Sequence, residues 1–136
     1  MTQQFLLTLP EFAKGSHLIT DSVSSALGDL PEQGLLHVFI LHTSAGLAIC
    51  ENADPTVRQD MDKSFDYLVP ENQPFYQHTA EGADDMPAHV KSVLSGTSVT
   101  IPIRNKELLL GTWQGIYLME FRKQKQRRKL VLTVVS

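Results

Sequence analysis

The sequence predicts an α+β fold, a small β-sandwich with a few short helices, on three observations. Eight short runs have strand-like apolar content. Three helical patterns open at Asp21, Asp54 and Asp85. Strands and helices are mixed in order without regular βαβ alternation, which favours a sandwich over a doubly wound sheet. At 136 residues, 42% hydrophobic and 20% charged, one domain spanning 1–136 is expected.

Taken in order, Phe5 to Leu9 reads as a strand that Pro10 stops, and His17 to Thr20 as a second. Asp21 is the expected N-cap of a helix through about Leu27. Gly34 to His42 is the strongest strand, apolar enough to be buried on both faces or covered by a neighbouring subunit. With period two, Leu36, Val38, Ile40 and His42 share a face, and His37 lies opposite with Leu35 and Phe39. Ser44 to Cys50 is then the returning strand.

Asp54-Pro55 is a strong helix start, an acceptor at the cap and a proline where the missing N–H costs nothing. Val57, Met61, Phe65 and Leu68 form its expected core stripe, with Arg58 and Asp62 four apart on the outside. Val69 to Asp85 is a long polar loop whose aromatic residues point to a functional, ordered segment. A short helix follows, with Met86, Val90, Val93 and Leu94 as its expected apolar positions and His89 at their edge. Val99–Ile103, Leu108–Leu110, Ile116–Phe121 and Leu130–Val135 complete the strands.

No apolar run approaches the roughly 20 residues of a membrane span, and no signal peptide is evident. A cytoplasmic protein without membrane attachment is expected, and the lone Cys50, read as a buried thiol, agrees with a reducing compartment. A net charge of −3 argues against nucleic acid as a partner. The charge is uneven. Glu51 to His89 holds nine acids and two bases, while Arg122 to Lys129 holds six bases and no acid. The first block could hold a cation and the second phosphates, or both could be solvated surface.

His42, His78 and His89 each fall at an element end or in the polar loop, near acids. Three converging imidazoles would make a zinc-type site with one open position. No HExxH or other short helical ligand pair is evident. Glu51, Asp54, Asp60, Glu81, Asp84 and Asp85 could bind magnesium or orient the histidines. Asp54 is better read as a cap, and Asp60 as a solvated acid. Ser95-Gly96 and Gly111-Thr112-Trp113-Gln114-Gly115 could offer backbone N–H groups to a phosphate, although turn formation explains such clusters equally well. A Ser44-His42-Asp54 triad lacks a supporting GxSxG elbow. His17 and His37 read as structural.

The segments HTSAGLAICENADPTVRQD, Tyr76-Gln77-His78, Glu81 through His89, LSGTS and GTWQGI occur in this order and together resemble the YjbQ-like family. The resemblance implies a trimeric α+β β-sandwich with a secondary thiamine-phosphate synthase activity, which joins hydroxymethylpyrimidine diphosphate to thiazole phosphate. It implies His42, His78 and His89 as metal ligands, with His42, Glu51 and Asn52 as catalytic candidates. Asp84 and Gly111 to Gly115 are implied nearby, and with Ser44, Ser95 and Gly96 they are the expected surroundings of a small phosphorylated substrate. Where Asp84 stands, the family more often carries Asn. Pyrophosphate departure calls for magnesium with Lys or Arg, whereas imidazoles prefer zinc, so the divalent metal is open between the two. A metal-dependent hydrolase and a non-catalytic trimeric binding module are the alternatives.

Overall fold

The computed structural model describes residues 1–136. Along the chain run β1 (Thr2–Phe12), β2 (Gly15–Leu18), α1 (Thr20–Ala26), β3 (Gln33–Ile40), β4 (Ala45–Glu51), α2 (Pro55–Leu68), α3 (Asp85–Ser95), β5 (Ser98–Arg104), β6 (Glu107–Leu108), β7 (Gln114–Glu120) and β8 (Gln126–Val135). All strand pairs are antiparallel. One sheet has the order β1-β8-β3-β5-β6 and the other β2-β7-β4. No helix is long and apolar enough to cross a membrane.

Period-two alternation builds the sandwich. Leu36, Val38 and Ile40 of β3, Ile101 and Ile103 of β5, and Leu130, Leu132 and Val134 of β8 face inward from the large sheet. Ala45 and Leu47 of β4 with Ile116 and Leu118 of β7 meet them from the small one. The other face of the small sheet carries Ala48, Cys50, Tyr117 and Met119, which Met61 and Phe65 of α2 and Ala88 of α3 cover.

Several expectations change here. Pro10 does not end β1, because β1 is an edge strand and its register shifts between Thr8 and Glu11, where a residue without an N–H is tolerated. Asp21 lies in the first turn of α1 and not at its cap, which is Ile19. β3 is buried on one face only in this chain, with Leu35 and Phe39 exposed. The strand buried on both faces is β7, which is central in its sheet and covered by helices outside. β4 does not return along β3; it crosses to the small sheet and pairs with β7.

The helices depart further. In α3 the buried side chains are Asp85, Pro87, Ala88, Lys91 and Ser92, whereas Val93 and Leu94 are exposed. The helix is turned away from its hydrophobic period because its polar residues all find partners. Lys91 reaches Asp66 at 2.6 Å, and the Ser92 hydroxyl donates to the Ala45 carbonyl at 2.8 Å. α2 buries none of its residues fully, and Arg58 does not pair with Asp62, whose carboxylate accepts from the Ser16 hydroxyl. The Asp54 cap behaves as read, accepting from the Thr56 N–H at 2.9 Å.

Candidate metal centre

His78 lies in the long loop, and Asp85 and His89 lie four apart on α3, on one helix face. One ring nitrogen from each histidine and a carboxylate oxygen of Asp85 lie within 4.8 Å of one another. Asp85 Oδ2 is 2.6 Å from His78 Nε2 and 3.1 Å from His89 Nε2. Glu81 approaches the same His78 nitrogen at 3.1 Å from the solvent side. The Asp85 side chain is 3% exposed and those of His78 and His89 46% and 30%, so the group opens outward from a buried acid.

The His89 ring fixes the chemistry. Its Nδ1 donates to the Thr43 carbonyl at 2.8 Å, so Nε2 carries the lone pair in the neutral ring. That lone pair faces a carboxylate oxygen. Two acceptors at 3.1 Å repel unless a proton or a cation lies between them. A ring nitrogen tied to a backbone carbonyl while the other faces the ligand cluster is the usual support of a metal-binding histidine. Tetrahedral bonds of about 2.0–2.1 Å would set donors about 3.3 Å apart, a small expansion of the 2.6 and 3.1 Å between Asp85 Oδ2 and the two rings. The donor set therefore fits a divalent metal of the zinc type.

Arg122 braces the acid. Its guanidinium donates to Asp85 Oδ1, to Asp84 Oδ2 at 3.0 Å and to the Glu81 carbonyl at 3.0 Å. Burial by itself would raise the Asp85 pKa. The hydrogen bond from His78 and the charge of Arg122 outweigh it and hold the carboxyl below its ordinary range. Asp84 is held low likewise, against its burial, by the Lys123 N–H and Arg122. The hydrogen bond to Asp85 raises the pKa of His78 above that of a free imidazole.

His42, expected as a third ligand, is not in this group. The Lys129 N–H donates to its Nε2 at 2.8 Å, which places the ring proton on Nδ1 and leaves neither nitrogen with a free lone pair. Burial, then the Arg128 charge, lowers its pKa. Ser44 accepts a hydrogen bond from Arg128 at 2.9 Å, and Arg128 is paired with the fully buried Glu120 at 2.6 Å.

The remaining candidates form a second cluster. β4 and β7 pair from Ala45↔Glu120 to Glu51↔Gln114, so Glu51, Asn52 and the Gly111–Gly115 turn lie at the far end of β4 from Thr43, about 20 Å along a seven-residue strand. Their polar groups are engaged. Glu51 Oε2 accepts from the Ala53 and Asp54 N–H groups at 2.8 Å. Asn52 Nδ2 donates to the Thr112 and Gln114 carbonyls. The Gly111 N–H donates to Gln114 Oε1 at 2.8 Å, and Trp113 is exposed. Ser95 and Gly96 pack on β4, where a Cβ at Gly46 would collide with Ser95 Oγ and the Gly96 carbonyl. The basic hairpin is not a free phosphate patch either, because four of its six cations pair with Asp84 and Asp85, Glu71, Glu11 and Glu120.

Arg122 is the residue hardest to single out from sequence, whereas Asp85 is one of the six acids that could bind a cation or orient the histidines. The legible signal is Asp85-x-x-x-His89, a short helical pair of possible ligands, contrary to the expectation that none exists. His17 and His37 have local partners, the Ala13 carbonyl and the Thr100 hydroxyl.

The family model described as UPF0047 protein YjbQ-like matches residues 6–136. The UPF0047 protein YjbQ of Salmonella typhimurium is 50% identical over 136 residues, covering 98% of each chain. That of Escherichia coli O157:H7 is 46% identical with the same coverage. The crystal structure of the conserved hypothetical protein TT1486 from Thermus thermophilus superposes with a TM-score of 0.82 at 35% identity, over 93% of this chain and 96% of that one.

Proposed function

The chain belongs to the UPF0047 YjbQ-like family, and from that premise we propose that it is a divalent-metal enzyme acting on a small phosphorylated compound. His78, Asp85 and His89 are its ligands. The observation that carries this reading is the His89 ring, whose Nδ1 is held by Thr43 while Nε2 faces the Asp85 carboxylate. Two imidazoles favour zinc over magnesium. A metal held there supplies Lewis-acid polarisation and lowers the pKa of a bound water. Asp85 anchors the cluster from the buried side, and Arg122 keeps its carboxylate ionised and oriented. Glu81, exposed and beside His78, is the carboxylate placed to accept a proton.

Hydrolysis fits this geometry better than the coupling of hydroxymethylpyrimidine diphosphate to thiazole phosphate. A departing pyrophosphate needs cationic partners, and the guanidinium groups of Arg122 and Arg128 are both committed to carboxylates. Thiamine-phosphate synthase activity therefore rests on the family resemblance. The assay that separates the two incubates zinc- or magnesium-loaded protein with a panel of small phosphate esters, and with both thiamine precursors. Phosphate release that is lost in His89→Ala supports the hydrolase. Thiamine phosphate formed without release from the esters supports the synthase. Neither product with either metal overturns the enzyme reading in favour of a binding module.

A trimer is part of the same proposal. Its support is apolar surface that one chain leaves uncovered, Leu6, Leu35, Phe39 and Val135 on the outer face of the large sheet, and Val93 with Leu94 on α3.

A further inference from the structure

Between α2 and the outer face of the small sheet lies a cavity of about 130 Å³ that shares no lining residue with the His78 cluster. Cys50, Tyr117 and Met119 form its floor, Met61 and Phe65 its roof, and Arg58 stands on its wall. It exists because α2 rests on the sheet without burying any residue fully, so the seam between them is incompletely filled.

Arg58 makes little structural sense where it is. It takes part in none of the ion pairs of the molecule. Its Nε is the one buried side-chain polar atom without a hydrogen-bond partner. It is also the fourth residue of α2, near the helix end where the dipole disfavours a cation. A buried donor left unpaired costs stability, and nothing in the chain offsets it. An anion in the cavity would accept from that donor and neutralise the guanidinium.

We propose that this cavity binds an aromatic carboxylate of about the size of benzoate, with its ring between α2 and the sheet and its carboxylate on the Arg58 guanidinium. An apolar cavity of about 150 Å³ accepts benzene, so one of about 130 Å³ has room for a single ring at most, and the carboxylate lies at its edge on Arg58. The preference for a ring follows from the lining, two aromatic rings and two thioethers, which make favourable contacts with aromatic faces and edges. A carboxylate suits the polar end better than a phosphate dianion because a single guanidinium fork is present and no second cation lines the cavity. This site is independent of the metal centre and of the function proposed for it.

Cys50 is the only cysteine, so its rate of alkylation by iodoacetamide reads this cavity alone. Benzoate should slow that rate saturably, with benzyl alcohol at least about tenfold weaker for want of the charge-assisted contact. Phenyl phosphate should bind more weakly than benzoate. In Arg58→Met, which loses no protein partner, the acid should lose its advantage over the alcohol while alkylation still responds to both. Methyl NMR signals of Met61 and Met119 in the unmodified protein should shift with benzoate at the same midpoint. Equal protection by benzoate and benzyl alcohol in the unmodified protein, or no saturable shift of either methionine, overturns the proposal whether or not the variant folds.

Discussion

His42 and His78 place the same ring in two opposed electrostatic settings, and each makes a prediction. His78 gains a hydrogen bond and a counter-charge from Asp85, so its pKa lies above the roughly 6.5 of a free imidazole. Its pairing with Asp85 stabilises the fold fully below about pH 6.5 and is lost as pH rises through the raised value. His42 is shifted downward by burial and by Arg128. Between its folded value and about 6.5 the unfolded chain binds the extra proton, so acidification through that window destabilises the protein. Ring NMR titration should show His42 and His78 moving on opposite sides of 6.5, and Asp85→Asn should bring His78 back toward it. An unchanged His78 in that variant would remove Asp85 as its partner. Asp85 itself is held low, so its contribution is present above about pH 4 and lost as pH falls through its depressed value. The histidines were visible in the sequence as element-end residues near acids. Their tautomers were not, because these depend on the Thr43 carbonyl and the Lys129 N–H, groups 46 and 87 residues away along the chain.

Elements are held in place by a few contacts that can be broken singly. Arg128 and Glu120 are 5% and 0% exposed, and Arg128 also holds Ser44 at the start of β4. Glu120→Ala leaves a buried guanidinium without its counter-charge and should cost about 3–5 kcal/mol in urea unfolding. A loss below about 1 kcal/mol, on the scale of exposed ion pairs, would contradict that reading. Gly46→Ala forces β4 away from the Ser95–Gly96 turn and should cost about 1–3 kcal/mol by the same measurement. At this scale the strands were largely legible, since period-two alternation at Leu36, Val38 and Ile40 is a local property. α3 was not. Its apolar residues Val90, Val93 and Leu94 suggested one buried face, and the partners of Asp85, Lys91 and Ser92 selected the other. Such partners come from Arg122, Asp66 and β4, which no periodicity within α3 can reveal.

Across the whole molecule, two features matter, an exposed apolar sheet face and the separation of the candidate residues. The outer face of the large sheet aligns Leu6, Val131 and Phe39 in one cross-strand row and Val135 with Leu35 in another. Leu6→Glu with Phe39→Glu should convert a trimer to monomer in light scattering, without loss of the inward-facing core; a trimeric double variant would place the interface elsewhere. The split of the candidate residues into a cluster at Thr43 and another at Gly111–Gly115 was invisible in sequence, because it follows from the β4–β7 pairing. The metal centre at the first cluster is tested most directly by zinc binding in calorimetry across His42→Ala, His78→Ala and His89→Ala. The unmodified chain should bind one equivalent, His78→Ala and His89→Ala should weaken it at least about tenfold, and His42→Ala should keep it. Full affinity in both of the first two variants, or a loss in His42→Ala as large as theirs, would contradict a centre built from His78, Asp85 and His89.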